Sequence, residues 1–246
     1  MVGVLFGLPL PLFSADLPTI LKRGRLIVAV KENVRPLAFR GSDGQLQGFE
    51  IDVARQLAQE LLDKPDAVVL QPVLNQDRLA TVLDGQADLA IARVTKTPMR
   101  SQVVSFSSPY YLDGTALITR DPNLRRLSDL GRGPIAVLEN SSTVAVLRRR
   151  LPQVGLVPVS SYVAAKQQLQ TGAAIAFAAD ASVLSGWAQE DPAYHLLLPT
   201  LSSEPLAIVL PKGLQYESLR QQVQAILAGW QRSGWLKERA AYWGLP

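Results

Sequence analysis

The chain has 246 residues, 48% of them hydrophobic and 19% charged, with a formal net charge of +4. That is enough apolar material for a sizeable core, in one large domain or two small ones, and it excludes global disorder. The absence of cysteine excludes disulfides, thiolate metal sites, thiol catalysis and a cysteine-linked lipid anchor.

The lone histidine, His195 in "AYHLLLP", reads as a satisfied or surface residue on a strand. No metal or other cofactor is expected. The densest basic run, Arg148-Arg149-Arg150, falls at an expected helix end, where it faces water or complements the helix dipole. No helix interleaves basic residues with stacking aromatics, so no nucleic-acid partner is expected.

In chain order, residues 2–13 are apolar but too short to span a bilayer as a helix, and Pro9 and Pro11 interrupt them. Phe13-Ser14-Ala15 suits a signal-peptidase cut before Asp16, although no positive region precedes it. Residues 1–15 are therefore expected to be a signal-peptide remnant, with a buried leading segment as the alternative. "RLIVAV" (25–30) reads as a buried strand, and "GSDGQLQG" (41–48) carries turn chemistry. In "FEIDVARQLAQELL" (49–62), Phe49, Val53, Leu57 and Leu61 repeat every four residues, the mark of an amphipathic helix. A strand at 67–73, a short helix at 77–85 closed by glycine and a strand at 87–92 follow. Strand–helix–strand–helix–strand with short connections points to a parallel sheet flanked by helices.

After "SSPYYLDGTALITR" the rhythm restarts, with a strand at 134–140, a helix at 141–151, strand-like "GLVPV" at 155–159, a helix at 161–172 and a strand at 174–179. A strand-like run at 205–213 and two helical stretches, 214–232 and 233–243, close the chain. Two α/β units joined by extended crossings predict two lobes with a ligand cleft between them, at the carboxyl ends of the strands. The expected division is 16–110 with 205–246 as the first lobe and 111–204 as the second.

Arg93, Thr95, Thr97 and Arg100 follow the third strand at that end. Pro98 suits a helix start, so Thr95 and Thr97 are expected to cap a helix whose free N–H groups, with a guanidinium, could receive one carboxylate. Residue chemistry alone leaves this level with a second reading. In that reading the threonines cap only their own helix and Arg100 pairs with a surface acid.

"DGQLQGFEIDVARQLA", "NQDRLATVLDGQADLAIA", "VTKTPMR", "VSFSSPYY", "LSDLGRGPIAVLENSST", "AAKQQLQTGAAIAFAAD" and "GWQRSGWLKERAAYWG" together resemble the extracellular solute-binding proteins of polar amino-acid ABC importers. That is family 3, with the two-lobed type 2 periplasmic binding fold, and the resemblance spans about residues 20–244. It implies that Arg100, helped by Thr95, pairs with a ligand α-carboxylate. Ser142 and Thr143 would reach that carboxylate from the second lobe. Asp180 would take the α-ammonium, a role compatible with N-capping the helix after it. A buried zwitterion needs an opposite charge at each end, because an unpaired buried ion is costly.

Two departures bear on the ligand. The family usually carries a small or polar residue where this chain has Arg93. Its aromatic lid is replaced by "KENVRPLAF", which offers Lys31, Asn33 and Arg35, with Phe39 further along. With Arg78 and Asn75 of "NQDR", the side-chain end of the pocket gains several cations. An acidic amino acid is therefore expected ahead of other polar amino acids. The competing reading has Arg78 bracing the fold and Arg35 facing water, and Glu32 and Glu204 favour a cationic side chain instead.

No chemical step is expected. Closure about crossings near Tyr110 to Thr115 and Thr200 to Glu204 would trap one ligand, and the closed receptor would dock on a membrane permease. The rival functions are a prephenate or arogenate dehydratase, for which Glu32, Asp113 and Glu204 are available acids, and the sensory lobe of a receptor. A soluble, unanchored, monomeric receptor is expected in a periplasm.

Overall fold

The computed structural model describes residues 15–139 and 141–246, so the signal-peptide reading of residues 1–15 lies, except at Ala15, outside the described residues. The first half forms α1 (Leu17–Arg23), β1 (Leu26–Val30), β2 (Asn33–Val34), β3 (Ala38–Arg40), β4 (Leu46–Gln47) and α2 (Phe49–Leu62). β5 (Val68–Pro72), α3 (Ala80–Leu83), β6 (Leu89–Ile91) and the long β7 (Ser105–Asp113) follow. The second unit runs through β8 (Thr115–Thr119), β9 (Ile135–Leu138), α4 (Ser142–Arg150), β10 (Leu156–Val159), α5 (Tyr162–Thr171), β11 (Ala176–Asp180), α6 (Ala181–Glu190) and β12 (His195–Leu197). The chain then returns through β13 (Glu204–Leu210) and ends in α7 (Glu217–Ser233) and α8 (Trp235–Tyr242).

Two five-stranded sheets organise these elements, ordered β5-β1-β6-β13-β7 and β10-β9-β11-β8-β12. In each, four strands run in one direction and one runs against them, β13 in the first sheet and β8 in the second. β1 lies between β5 and β6, buried from both sides, which is why "LIVAV" reads as a continuous apolar run rather than an alternating one. The apolar stripe of α2 packs with β1, β6 and the α7 residues Leu219, Val223 and Leu227 in one core. The second sheet has apolar clusters around Phe177 and Trp187 and around Ile135 and Leu147.

The connections between the sheets are narrow. β7 passes into β8 through Gly114, and β13 pairs with β7 up to Glu204 opposite Asp113. Leu201 N donates to Thr115 O at 2.6 Å, and Thr115 N donates to Ser202 Oγ at 2.8 Å. A Cβ on Gly114 would collide with the carbonyl oxygen of Ser202. Only glycine lets the two crossings lie this close.

Several expectations are corrected. The helix expected at 77–85 shortens to four residues, Ala80–Leu83. The helix expected after Pro98 is a single 3-10 turn, Arg100–Gln102. Thr97 does cap that turn, accepting from Arg100 N at 3.3 Å, but Thr95 instead forms a β-bridge with Leu206. Residues 33–47, expected as loop and turn, contain the small antiparallel sheet β2-β3-β4. His195 sits on β12 with its Nε2 2.7 Å from Leu124 O.

Candidate functional site

The carboxyl ends of the parallel strands converge where the two sheets face one another. β1 delivers Lys31, β5 delivers Asn75 and β6 delivers Arg93. From the other side, β11 ends in Asp180 and leads directly into α6. A cavity of about 700 Å³ lies here, lined by Lys31, Arg35, Asn75 and Arg93 on one side and by Tyr162 and Trp187 on the other. The volume is in the range of small-molecule pockets.

The two sides touch around this cavity. A Cβ on Gly186 of α6 would lie 2.5 Å from Arg35 O, and Gln189 Nε2 donates to Trp243 O at 2.6 Å. Arg93 Nη2 bridges to Asp180 Oδ2 at 2.6 Å. These contacts draw α6 against the first unit and narrow the cleft.

Arg93 is held at three points. Its φ of 51° is left-handed, a conformation that costs a non-glycine residue about 1–3 kcal/mol unless its surroundings enforce it. Its N–H donates to Glu50 Oε1 at 2.7 Å, and its carbonyl accepts from Arg78 Nη1 at 2.7 Å. Its side chain spans the cleft to Asp180. Burial lowers the Arg93 pKa, but Asp180, Tyr162 and Asp113 outweigh it, so the net shift is upward and the guanidinium stays charged.

Glu50 is fully buried, and burial raises its carboxyl above the ordinary 4.5 against the pull of the Tyr110 hydroxyl and Arg93 N–H, both of which donate to Oε1. Lys31 is buried with Nζ 2.6 Å from Val73 O. Burial, then Arg78 and Arg93, lower its pKa.

The charges lining the cavity are unbalanced. Lys31, Arg35, Arg40 and Arg93 face it with Glu32 and Glu190. Glu32 is matched to Arg40 at 2.8 Å, Glu190 to Lys166 at 3.7 Å and Arg93 to Asp180. Among the described residues Lys31 and Arg35 form no ion pair, and the Arg35 guanidinium stacks 3.7 Å from the Phe39 ring centroid. This leaves a surplus of positive charge for an anionic group.

The remaining sequence-derived candidates are placed as follows. Arg78 donates to three carbonyls, of Asn75, Ala92 and Arg93. It thereby shapes the loop that carries Arg93, and burial followed by the nearby Arg100 charge lowers its pKa. Arg100 donates through Nη1 to Thr95 O at 2.8 Å, using one of its five N–H donors. Thr143 is buried and Ser142 exposed at the start of α4, and the neighbouring Asn140 lies outside the described residues. Arg78, Arg100, Thr95, Ser142, Thr143 and Asp180 are not among the residues lining this cavity, and Asp180 meets it only through its ion pair with Arg93. Asp180 occupies the N-cap position of α6 but makes no side-chain capping bond, because its carboxylate goes to Arg93.

Sequence reasoning missed Glu50, read only as part of a helix start, and Tyr162 and Trp187, which fall inside expected helices and were given no role. No signal in the sequence ties these positions to the cleft. Among the described residues no group of three or more His, Cys, Asp or Glu is placed to hold a metal ion. No helix among them is long and apolar enough to cross a membrane.

Comparison with known proteins places this geometry. The profile of the bacterial extracellular solute-binding proteins, family 3, matches residues 26–246. A glutamine-binding protein of Geobacillus stearothermophilus is 32% identical over 195 residues, covering 78% of this chain and 74% of that protein. The glutamate-binding protein GluB of Corynebacterium efficiens is 28% identical over 177 residues, covering 69% and 60%. Among solved structures, an ancestral cationic amino acid solute-binding protein superposes with a TM-score of 0.78 at 26% identity, covering 93% of this chain and 99% of that one.

Proposed function

The chain belongs to family 3 of the bacterial extracellular solute-binding proteins, and we propose that it is the amino-acid receptor of an ABC importer, closing on one zwitterionic ligand in a periplasm. Glutamate or aspartate is the favoured ligand, ahead of other polar amino acids. The observation that carries this preference is the surplus charge of the cavity: Lys31 and Arg35 face it without an ion-pair partner among the described residues, while its acids are already matched.

In this reading Asp180 receives the α-ammonium. Arg100 and Thr95, with Ser142 and Thr143, receive the α-carboxylate. Lys31, Arg35, Asn75 and Arg93 line the side-chain end, and Arg78 acts through the loop it braces. The moving bodies are residues 16–110 with 205–246 and residues 111–204, hinged at Gly114 and the 200–204 return. The closed form then presents a joint surface of both lobes to a membrane permease.

Relatives named for glutamine and for glutamate support the amino-acid class. No chemical step is proposed. Asp113, an acid that a dehydratase would need free, accepts from Gly114 N and Ser182 N on one oxygen and from Ser182 Oγ on the other.

A thermal-shift and calorimetric screen of the twenty amino acids tests the reading. Ligand a thousandfold above its Kd adds about 4 kcal/mol to stability, which for a chain of this size raises Tm by about 8–16 °C. A flat response to all twenty would overturn it.

A further inference from the structure

We propose that Arg93 determines specificity by changing partners. Its guanidinium leaves Asp180 for an anionic group at the far end of the ligand, while the ligand's ammonium takes its place on Asp180. The inference rests on the amino-acid reading above and concerns which amino acids the site accepts.

Three observations carry it. First, the Arg93 backbone cannot move away. It is held in a left-handed conformation, with its N–H on Glu50 Oε1 and its carbonyl on Arg78 Nη1, so only the side-chain torsions remain free. Second, that side chain lines the cavity and closes on Asp180 from across the cleft, so the chain's own cation already occupies the carboxylate meant for an ammonium. Third, the pair is mostly buried, with side-chain exposures of 26% and 21%. Displacing either partner therefore leaves a charge that must be matched again.

The consequence separates three kinds of ligand. A neutral amino acid that docks its ammonium on Asp180 strands the guanidinium in the cavity with no carboxylate to replace the one it lost. An acidic amino acid supplies both the ammonium and a distal carboxylate, so Arg93 and Asp180 are each matched before and after binding. A dicarboxylate without an ammonium cannot release Arg93 from Asp180 and is left with Lys31 and Arg35. The site thus requires a cation and a second anion on one ligand, which the α-carboxylate clamp alone does not.

Calorimetry with glutamate, glutamine and glutarate on the wild type, Arg93→Gly and Arg93→Lys tests the exchange. Glycine tolerates the left-handed backbone, and lysine retains the cation if the glycine variant folds poorly. The wild type is expected to bind glutamate at least about tenfold tighter than either glutamine or glutarate, since stranding a buried charge is costly. Arg93→Gly is expected to narrow the glutamate-to-glutamine ratio by at least about threefold, mainly by tightening glutamine and leaving only the share owed to Lys31 and Arg35, and Arg93→Lys to keep the preference.

An unchanged ratio in Arg93→Gly, loss of the preference in Arg93→Lys, glutarate binding equal to glutamate, or a wild type preferring glutamine would each overturn the inference. All four leave the amino-acid receptor reading standing. Failure of the wild type to bind any of the twenty amino acids removes that reading, and this inference with it.

Discussion

Gly186 offers a direct test of closure, because it sits in the middle of α6 with Arg35 O where a side chain would go. The Gly186→Ala Cβ would stand 2.5 Å from that oxygen, about 0.9 Å short of the 3.4 Å at which ordinary contact begins. The obstacle is backbone on the opposite lobe, so it cannot rotate aside, and α6 must retreat. Overpacking of this kind costs about 1–3 kcal/mol. The cost falls on the closed form alone, since separated lobes bring no carbonyl to that place. Ligand binding, which draws on closure, should weaken by about 5- to 150-fold. The unliganded open protein should not suffer, because alanine is favoured over glycine in a helix interior by about 0.5–1 kcal/mol. The test is paired: calorimetry for affinity, and thermal unfolding without ligand for stability. Unchanged affinity would refute the contact across the cleft. A large loss of unliganded stability would show that α6 and the Arg35 carbonyl are packed permanently rather than on closure.

Further outcomes follow from the hinge, the clamp and the buried acid. Gly114→Ala should lower Tm by about 4–10 °C, because the collision with Ser202 O forces apart two crossings that share short hydrogen bonds; an unchanged Tm would mean that the crossings are free to separate. Arg100→Ala should weaken glutamate binding by at least about 100-fold, the cost of leaving a ligand carboxylate unmatched, and retained affinity in calorimetry would remove Arg100 from the site. Burial raises the Glu50 carboxyl above 4.5, so the folded chain keeps a proton that the unfolded chain releases. Stability from this group is full below 4.5 and falls as pH rises from there to the folded value, by at most about 1.4 kcal/mol per pH unit. Glu50→Gln should flatten that part of the denaturation profile, and an identical slope in wild type and variant would show that Glu50 ionises freely.

Much of the fold was legible because its main elements carry a period. The four-residue spacing of Phe49, Val53, Leu57 and Leu61 marks α2, and the unbroken apolar run of β1 marks a strand covered on both faces. The sheet β2-β3-β4 has strands of two and three residues, too short for any period to show. β7 was obscured by Pro109, which argues against a central strand. It is tolerated because β7 lies at the edge of its sheet, and the pairing with β13 shifts register on either side of Ala207.

The site was legible in its residue types and not in its geometry. Arg93 stood out in the sequence as a bulky cation where the family resemblance implies a small or polar residue, yet nothing in "AIARVT" announces a left-handed arginine. That conformation is enforced by Glu50, 43 residues earlier in the chain, and by Arg78. A short-range reading cannot see such a constraint, because the strain and the bonds that hold it are far apart in sequence. Gly186 makes the complementary case. A glycine inside an otherwise good helix gives up about 1 kcal/mol against alanine, and such a cost points to a neighbour that needs the space. The cue was present in "ASVLSGWAQE", but the neighbour, the carbonyl of Arg35, belongs to the opposite lobe. Both residues break a local rule where the two lobes meet. Local misfit of this kind marks a cleft more surely than the threonines and arginines that first drew attention to it.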